Sequence, residues 1–256
     1  MLTELDEGYV KSELHYGITT IEFFHPQSNS LPGRMLEELA GAIHSAGNDD
    51  LTRVIILRSG GDQAFCAGAS FHELKSISNK EQGQQFFSGF ARVINAMRTC
   101  PKFIIARIHG KCVGGGVGIA AAADYAIAVE KADIKLSELA VGIGPFVVGP
   151  AVQRKIGLSA FSQLAIDAHM WRSGDWARRK GLFAELHPNV EGMDESINRL
   201  ANTLVHSNPQ AMAELKKIFW EGTEHWDELL KERAAISGEL VLSEFTRKAI
   251  ENFRKK

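Results

Sequence analysis

Two short runs of small residues are the first places where chemistry can be read. Gly114-Gly115-Gly116-Val117-Gly118 stands between an apolar run, Phe103 to Ile108, and an alanine-rich stretch. Successive glycines let another group approach the main chain, and a helix starting there presents N–H groups with no partner inside the helix. Such a place favours negative charge. The second run, Phe65-Cys66-Ala67-Gly68-Ala69-Ser70, follows a turn and precedes a short helix over Phe71 to Ser76, with Ser70 as its N-cap. Two sets of exposed N–H groups on separate turns are the parts of an oxyanion hole, which holds an enolate or tetrahedral oxygen as charge builds on it. Spacing alone leaves two other readings of the glycines open. They suit close strand-helix packing, and Gly116-x-Gly118-x-x-Ala121 with Glu138 beyond it fits a dinucleotide fingerprint, though in mid-chain rather than at a first strand-helix unit.

The elements that must position these runs follow from periodicity. Tyr9 to Leu14 and Gly17 to Phe24 alternate as two strands of a hairpin turning at Tyr16-Gly17. Leu36, Leu39, Ala40 and Ile43 recur at helical spacing, with Ser30 and Pro32 marking the helix start and Gly47-Asn48-Asp49 its end. Val54 to Leu57 and Phe103 to Ile108 are apolar on both faces, as strands covered on both sides are. Between them Phe86, Phe90, Val93, Ile94 and Met97 form one stripe of a helix beginning near Asn79 and stopped by Pro101. Tyr125 to Val129 and Ile134 to Leu136 are further strands, and beyond about Val147 the chain reads as almost wholly helical. The break at His187-Pro188-Asn189 divides an α/β body, 1–188, from a helical region, 189–256, whose apolar faces need a partner.

The 256 residues have an ordinary globular composition, 45% hydrophobic and 23% charged. With 29 basic against 31 acidic residues the net charge is −2, so no overall basic field recruits nucleic acid or an anionic membrane. The longest apolar stretch, Val113 to Val129, is interrupted by Asp124 and too short to span a bilayer. The acidic start and three cysteines, Cys66, Cys100 and Cys112, with no Cys-x-x-Cys, suit a reduced protein of the cytoplasm. The nine histidines are scattered rather than spaced as metal ligands.

Phe65-Cys-Ala-Gly-Ala69, the run Ile108-His-Gly-Lys-Cys-Val-Gly-Gly-Gly116 with Asp124 beyond it, and Leu136-Ser-Glu138 followed by Gly142 and Pro145 resemble the enoyl-CoA hydratase/isomerase (crotonase) family in order and spacing. The likeness covers roughly residues 15 to 187 and includes Ala177 to Leu182. The resemblance implies a spiral of ββα units with a helical C-terminal trimerisation region, acyl-CoA thioester substrates, a homotrimer or dimer of trimers, and no cofactor or metal beyond the coenzyme A of the substrate. It makes the N–H groups of Ala69 and Gly115 the oxyanion hole and Glu138 the proton-exchanging carboxylate. It sets Ala67, Gly68, Gly114, Gly142 and Phe146 against the substrate. Burial by the apolar Leu139-Ala-Val141 is expected to raise the Glu138 pKa; the lesser reading is a surface or ion-paired glutamate.

Two departures bear on the reaction. The best-known hydratases of the family have a second glutamate three residues after the oxyanion glycine, where this chain has Gly118. Gly144-Pro-Phe-Val-Val-Gly149 replaces a glycine-rich Pro-Gly-x-Gly-Gly-Thr-Gln stretch and supplies an apolar wall that either shapes the acyl pocket or packs the next helix. The favoured expectation is an enoyl-CoA hydratase, of a methylglutaconyl-CoA type among others. The alternatives are a Δ3,Δ2-enoyl-CoA isomerase using one glutamate as proton shuttle, and an inactive acyl-CoA-binding relative. Lys75, His72 and the C-terminal Arg247, Lys248, Phe253, Arg254, Lys255 and Lys256 are candidate coenzyme neighbours or simply solvated surface.

Overall fold

The computed structural model describes residues 8–252. The chain opens with the expected hairpin. β1 (Tyr9–His15) pairs antiparallel with β2 (Ile18–Phe24), and the turn places Tyr16 and Gly17 at positive φ, 48° and 82°. Both residues at positive φ make the tight turn whose twist matches that of its strands, with tyrosine in a position glycine or asparagine usually holds. The following helix, α1 (Gly33–Asn48), begins one residue after Pro32. Pro32 is therefore the cap itself, with no side-chain hydrogen bond, and Ser30 lies outside the helix start.

β3 (Val54–Ser59), β4 (Phe103–Ile108) and β6 (Tyr125–Val129) add in parallel to β2. The main sheet has the order β1-β2-β3-β4-β6-β8. Its edge strand β8 (Glu185–His187) falls in the stretch beyond about Val147 that reads as almost wholly helical. Three residues with one apolar side chain leave no periodic signal, and the strand exists because Ile127 to Val129 offers it a ladder. The expected strand at Ile134 to Leu136 shrinks to β7 (Ile134–Lys135). It pairs with β5 (Cys112–Val113) in a separate two-stranded ladder, which carries the glycine cluster away from the main sheet.

Helices cover the ladder faces. α2 (Phe71–Ser76) and α3 (Lys80–Thr99) begin at Ser70 and Asn79, whose side chains accept from the N–H groups of Glu73 and Gln82. α4 (Gly115–Ala122) is wholly buried, which is why its residues are glycine, alanine, valine and isoleucine. α5 (Gly149–Ile166), α6 (Gly174–Arg179), α7 (Val190–Val205), α8 (Pro209–Phe219), α9 (Trp226–Leu240) and α10 (Glu244–Asn252) follow. α7 lies on the sheet, tied to β4 by the two-pronged pair of Arg107 with Asp194, 2.6 and 2.9 Å. α9 packs along α3 at a crossing so close that a Cβ on Gly83 would lie 2.7 Å from the Gly238 Cα. Only glycines fit there, and the crossing sets the neighbouring Ser237 beside the site described next.

Candidate active site

The loop after β3 and the glycine cluster after β5 are tied together by main-chain bonds. The Val113 N–H donates to Cys66 O at 2.9 Å, and Cys66 and Cys112 form an isolated parallel bridge. On its other side the loop is fixed to Leu31. The Leu31 N–H donates to Gly68 O at 2.8 Å, and the Ser70 N–H donates to Leu31 O at 3.1 Å. The Ala69 N–H between them donates to no protein acceptor among the described residues. Gly115, the first residue of α4, has an N–H with no acceptor inside its helix. Gly68 has φ +93°, and a Cβ placed on it would sit 3.6 Å from the Gly115 N. The two runs of small residues therefore converge, and both free N–H groups belong to residues of one cavity wall.

Glu138 enters the same cavity from the loop after β7. It follows β7 and starts a short 3-10 turn, Leu139–Val141, closed by Gly142 in the left-handed region at φ +84°. Its carboxyl lies over Gly114, where a Cβ would come within 3.0 Å of Oε1. That close approach explains a glycine at 114 better than its φ of +52° alone. The residue is partly exposed, but its Oε2 is closed off with no hydrogen-bond partner. Burial pushes its pKa from the ordinary 4.5 to about 7, opposed only by its own backbone N–H. A carboxyl poised there exchanges a proton readily in either direction near neutral pH.

The cavity between these groups is about 340 Å³. Ala67, Gly68, Ala69, Gly114, Gly115, Glu138 and Phe146 all line it, so the structure brings together every expected site residue except one. Gly142 faces away, where a Cβ would meet Thr246 Oγ1 at 2.5 Å and the Phe245 ring at 2.7 Å. Its carbonyl accepts from the Thr246 hydroxyl at 3.1 Å, so its part is to shape the Glu138 loop against α10 rather than to line the cavity. The rest of the lining is strongly apolar: Phe71 and Leu74 of α2, Phe86, Phe87 and Phe90 of α3, and Val141, Ile143, Val147 and Val148. The stripe on α3 is half of this wall as well as core. The Phe90 ring lies on Gly115, where a Cβ would meet it at 2.2 Å. Val148 sits over Gly118 in the same way, at 2.5 Å, so methyl groups fill the space a side chain at 118 would need.

Lys135, Trp171 and Ser237 line the cavity and escaped the sequence reading, as did the apolar Phe87 and Ile143. Trp171 and Ser237 lie far along the chain and only the fold brings them in, whereas Lys135 sits three residues before Glu138 and is a signal that could have been followed. Lys75 and Arg247, candidate coenzyme neighbours, line an adjoining cavity of about 700 Å³ that shares Leu74 with the first. His72 lines neither, and Phe253 to Lys256 lie outside the described residues. Among the described residues no group of three or more histidines, cysteines or acids could hold a metal, and no helix is long and apolar enough to cross a membrane.

The profile of the family described as enoyl-CoA hydratase/isomerase matches residues 13–253, nearly the whole chain. The chain belongs to the enoyl-CoA hydratase/isomerase family. Among its relatives is a protein of Bacillus subtilis (strain 168) described as a probable enoyl-CoA hydratase, 29% identical over 241 residues and covering 93% of both chains. The human mitochondrial methylglutaconyl-CoA hydratase is 33% identical over 201 residues, 77% of this chain and 58% of that protein. A crystal structure of an enoyl-CoA hydratase from Bacillus halodurans shares the fold at a TM-score of 0.87. It covers 95% of this chain and 99% of that one at 23% identity. An enoyl-CoA hydratase/isomerase acts on acyl-CoA thioesters, and the cavity must be read with such a substrate in mind.

Proposed function

We propose that the chain is an enoyl-CoA hydratase in which Glu138 alone carries out both proton transfers and the N–H groups of Ala69 and Gly115 hold the thioester oxygen. The observation that carries this reading is the Glu138 carboxyl, set near neutrality over Gly114 and lining one cavity with two unclaimed N–H donors. With the thioester oxygen on the two donors, the Glu138 carboxylate takes a proton from water as the oxygen of that water bonds to C3. The C2–C3 π pair moves onto the thioester as an enolate, whose charge the donors stabilise. Glu138 then returns its proton to C2, and one water has been added. Each donor of such a hole is worth about 3 kcal/mol or more in the transition state. Ala67, Gly68, Gly114 and Phe146 line the path of the acyl group and thioester, and the chemistry calls on no group beyond the substrate's coenzyme A.

A second reading has its own support. Val148 over Gly118 leaves no room for a second carboxylate to activate water, and one base suffices to carry a proton from C2 to C4 of a 3-enoyl-CoA. Product analysis in deuterated water with crotonyl-CoA, 3-methylglutaconyl-CoA and a 3-enoyl-CoA decides between them. A 3-hydroxyacyl-CoA carrying solvent deuterium at C2 is the expected product. Conversion of the 3-enoyl substrate alone, to its 2-enoyl isomer, would replace hydratase by isomerase. No turnover with retained thioester binding would leave an inactive acyl-CoA-binding relative.

The same proposal includes a trimer or a dimer of trimers. Leu215, Ile218 and Phe219 on α8 and Leu158 and Ile166 on α5 are 45% to 74% exposed, more apolar surface than a lone chain of this kind needs. Light scattering on the purified protein should give three or six times the 28.1 kDa of one chain; a single-chain mass would refute it.

A further inference from the structure

Among the described residues only Tyr16, Ser28 and Asn29 hold a positive φ without being glycine, and two of the three are neighbours. Tyr16 turns the hairpin. Ser28 and Asn29, at 53° and 57°, lie between β2 and α1, on the segment to which the loop bearing Ala69 is bonded. Left-handed backbone costs free energy in a residue with a Cβ. It persists only where the surroundings hold it, and such places gather at functional sites.

The Asn29 side chain is what holds this turn. The residue is 2% exposed, and both ends of its amide are engaged. Oδ1 accepts from the His25 N–H at 2.8 Å, while Nδ2 donates to Gly60 O at 2.9 Å and to Ala64 O at 2.8 Å. Those two carbonyls lie between the end of β3 and Phe65, so the amide clips the start of the oxyanion loop to the turn before α1. The same turn then takes up the rest of that loop. The Ala67 N–H donates to Ser28 O at 3.2 Å, and Leu31 bonds to Gly68 and Ser70 in a parallel bridge centred on Ala69. The Gly68 N–H goes to Cys66 Sγ at 3.4 Å. From Ala67 to Ser70 every N–H is thus claimed except that of Ala69. Asn29 does not itself line the cavity.

We propose that Asn29 is the positioning residue for the Ala69 N–H, holding the loop so that this one donor is left free and aimed into the cavity. The inference rests on the reading above, in which that N–H holds the thioester oxygen. An oxyanion donor acts only when it is fixed on the point where charge develops, so the clip matters more in the transition state than in substrate binding. Residue type agrees. Asparagine is short, enters the left-handed region readily, and offers two donors and an acceptor on one amide. Aspartate has the shape without the donors, and glycine the backbone freedom without the amide.

The test reads the donors directly, by difference infrared spectroscopy of butyryl-CoA labelled with heavy carbon at the thioester carbonyl. Hydrogen bonds to that oxygen lower its stretching frequency, and in the parent the frequency should fall on binding. In Asn29→Asp and Asn29→Gly most of that fall should be lost. Their kcat on the enoyl thioester should drop about 10- to 100-fold, part of what deleting one such donor costs, with KM changed by less than about threefold. Both replacements accept the left-handed backbone, and glycine adds no charge beside the two carbonyls, so it serves if the aspartate prevents folding. Ile43→Ala, on the buried face of α1 and with no part in these bonds, should lower urea stability while the folded fraction keeps its kcat and the carbonyl shift. Asn29 variants that lose stability yet keep both would make the residue a purely structural part and overturn the inference. A parent whose binding leaves the carbonyl frequency unmoved would overturn the donor reading and the inference with it. A shift present in the parent and lost in the variants, without turnover of any enoyl-CoA, would uphold Asn29 and overturn only the reaction.

Discussion

Asp124 and Glu138 are two inward-facing carboxylates fourteen positions apart, and the fold treats them oppositely. Asp124 Oδ2 accepts from the Ile104 N–H at 2.7 Å and from Lys216 Nζ at 2.8 Å, with the Lys216 side chain 2% exposed and that of Asp124 6%. Lys216 donates a second bond to Lys102 O, and Lys155 caps the nearby carbonyls of Ala123 and Asp124. Both charged groups there are partnered, and the cluster fastens α8 and α5 to the end of β4. Among the described residues Glu138 has neither cation nor side-chain donor, and its Oε2 is orphaned. Buried polar groups are nearly always satisfied, so an orphan beside two free N–H donors marks a place where stability is given up for a ligand. The partnered acid holds the fold and the lonely one is available for chemistry.

The largest separation of the two should appear in turnover. Glu138→Gln removes the proton carrier at constant size and should cost about 100- to 10,000-fold in kcat, measured spectroscopically on the enoyl thioester. The parent should in turn lose kcat/KM as pH falls through about 7, because the carboxylate form begins the reaction. The same change should act on stability with the reverse sign. Folding raises this carboxyl from 4.5 to about 7, so below 4.5 both states keep the proton and nothing is lost. Between those values only the unfolded chain gives it up, and stability falls as pH rises until the full penalty is present above about 7. Glu138→Gln should therefore be more stable than the parent at pH 8 by on the order of 2 kcal/mol, and no different at pH 4, by urea denaturation.

Asp124→Asn should do the contrary. Leaving Lys216 charged, buried and without its anion should cost about 3 kcal/mol or more of stability, while the folded fraction keeps its kcat. Equal damage to kcat would erase the distinction between the two acids. The smallest effect expected is at Gly118→Ala. Its methyl would collide with Val148, at about 1 to 3 kcal/mol, and adding Val148→Ala should return most of that loss. An additive double variant would show that the two positions do not touch.

Much of this site is legible in the sequence, because its parts are local. Consecutive glycines, an alanine-glycine loop and a glutamate before an apolar turn announce themselves by type, and the buried strands that carry them are long enough to show a pattern. Position could be read less well than identity. Nothing next to Gly142 in the chain says that its Cα faces Thr246 and Phe245 rather than the cavity, since that is decided by α10. The α3 stripe was readable as a buried face, but not that Phe86, Phe87 and Phe90 divide themselves between core and cavity. β8 left no trace because a three-residue edge strand depends on its neighbour for its existence.

The hydrogen bond from Thr246 to Gly142 spans 104 positions of sequence. A ribosome making this chain has released both oxyanion loops and the Glu138 turn long before it reaches α10. Until α10 is made and docked, the nascent protein holds every reacting group yet lacks the brace that sets the glutamate's loop. A chain cut short near residue 240 would hold both oxyanion loops and Glu138 but lack the tether on the acid's loop.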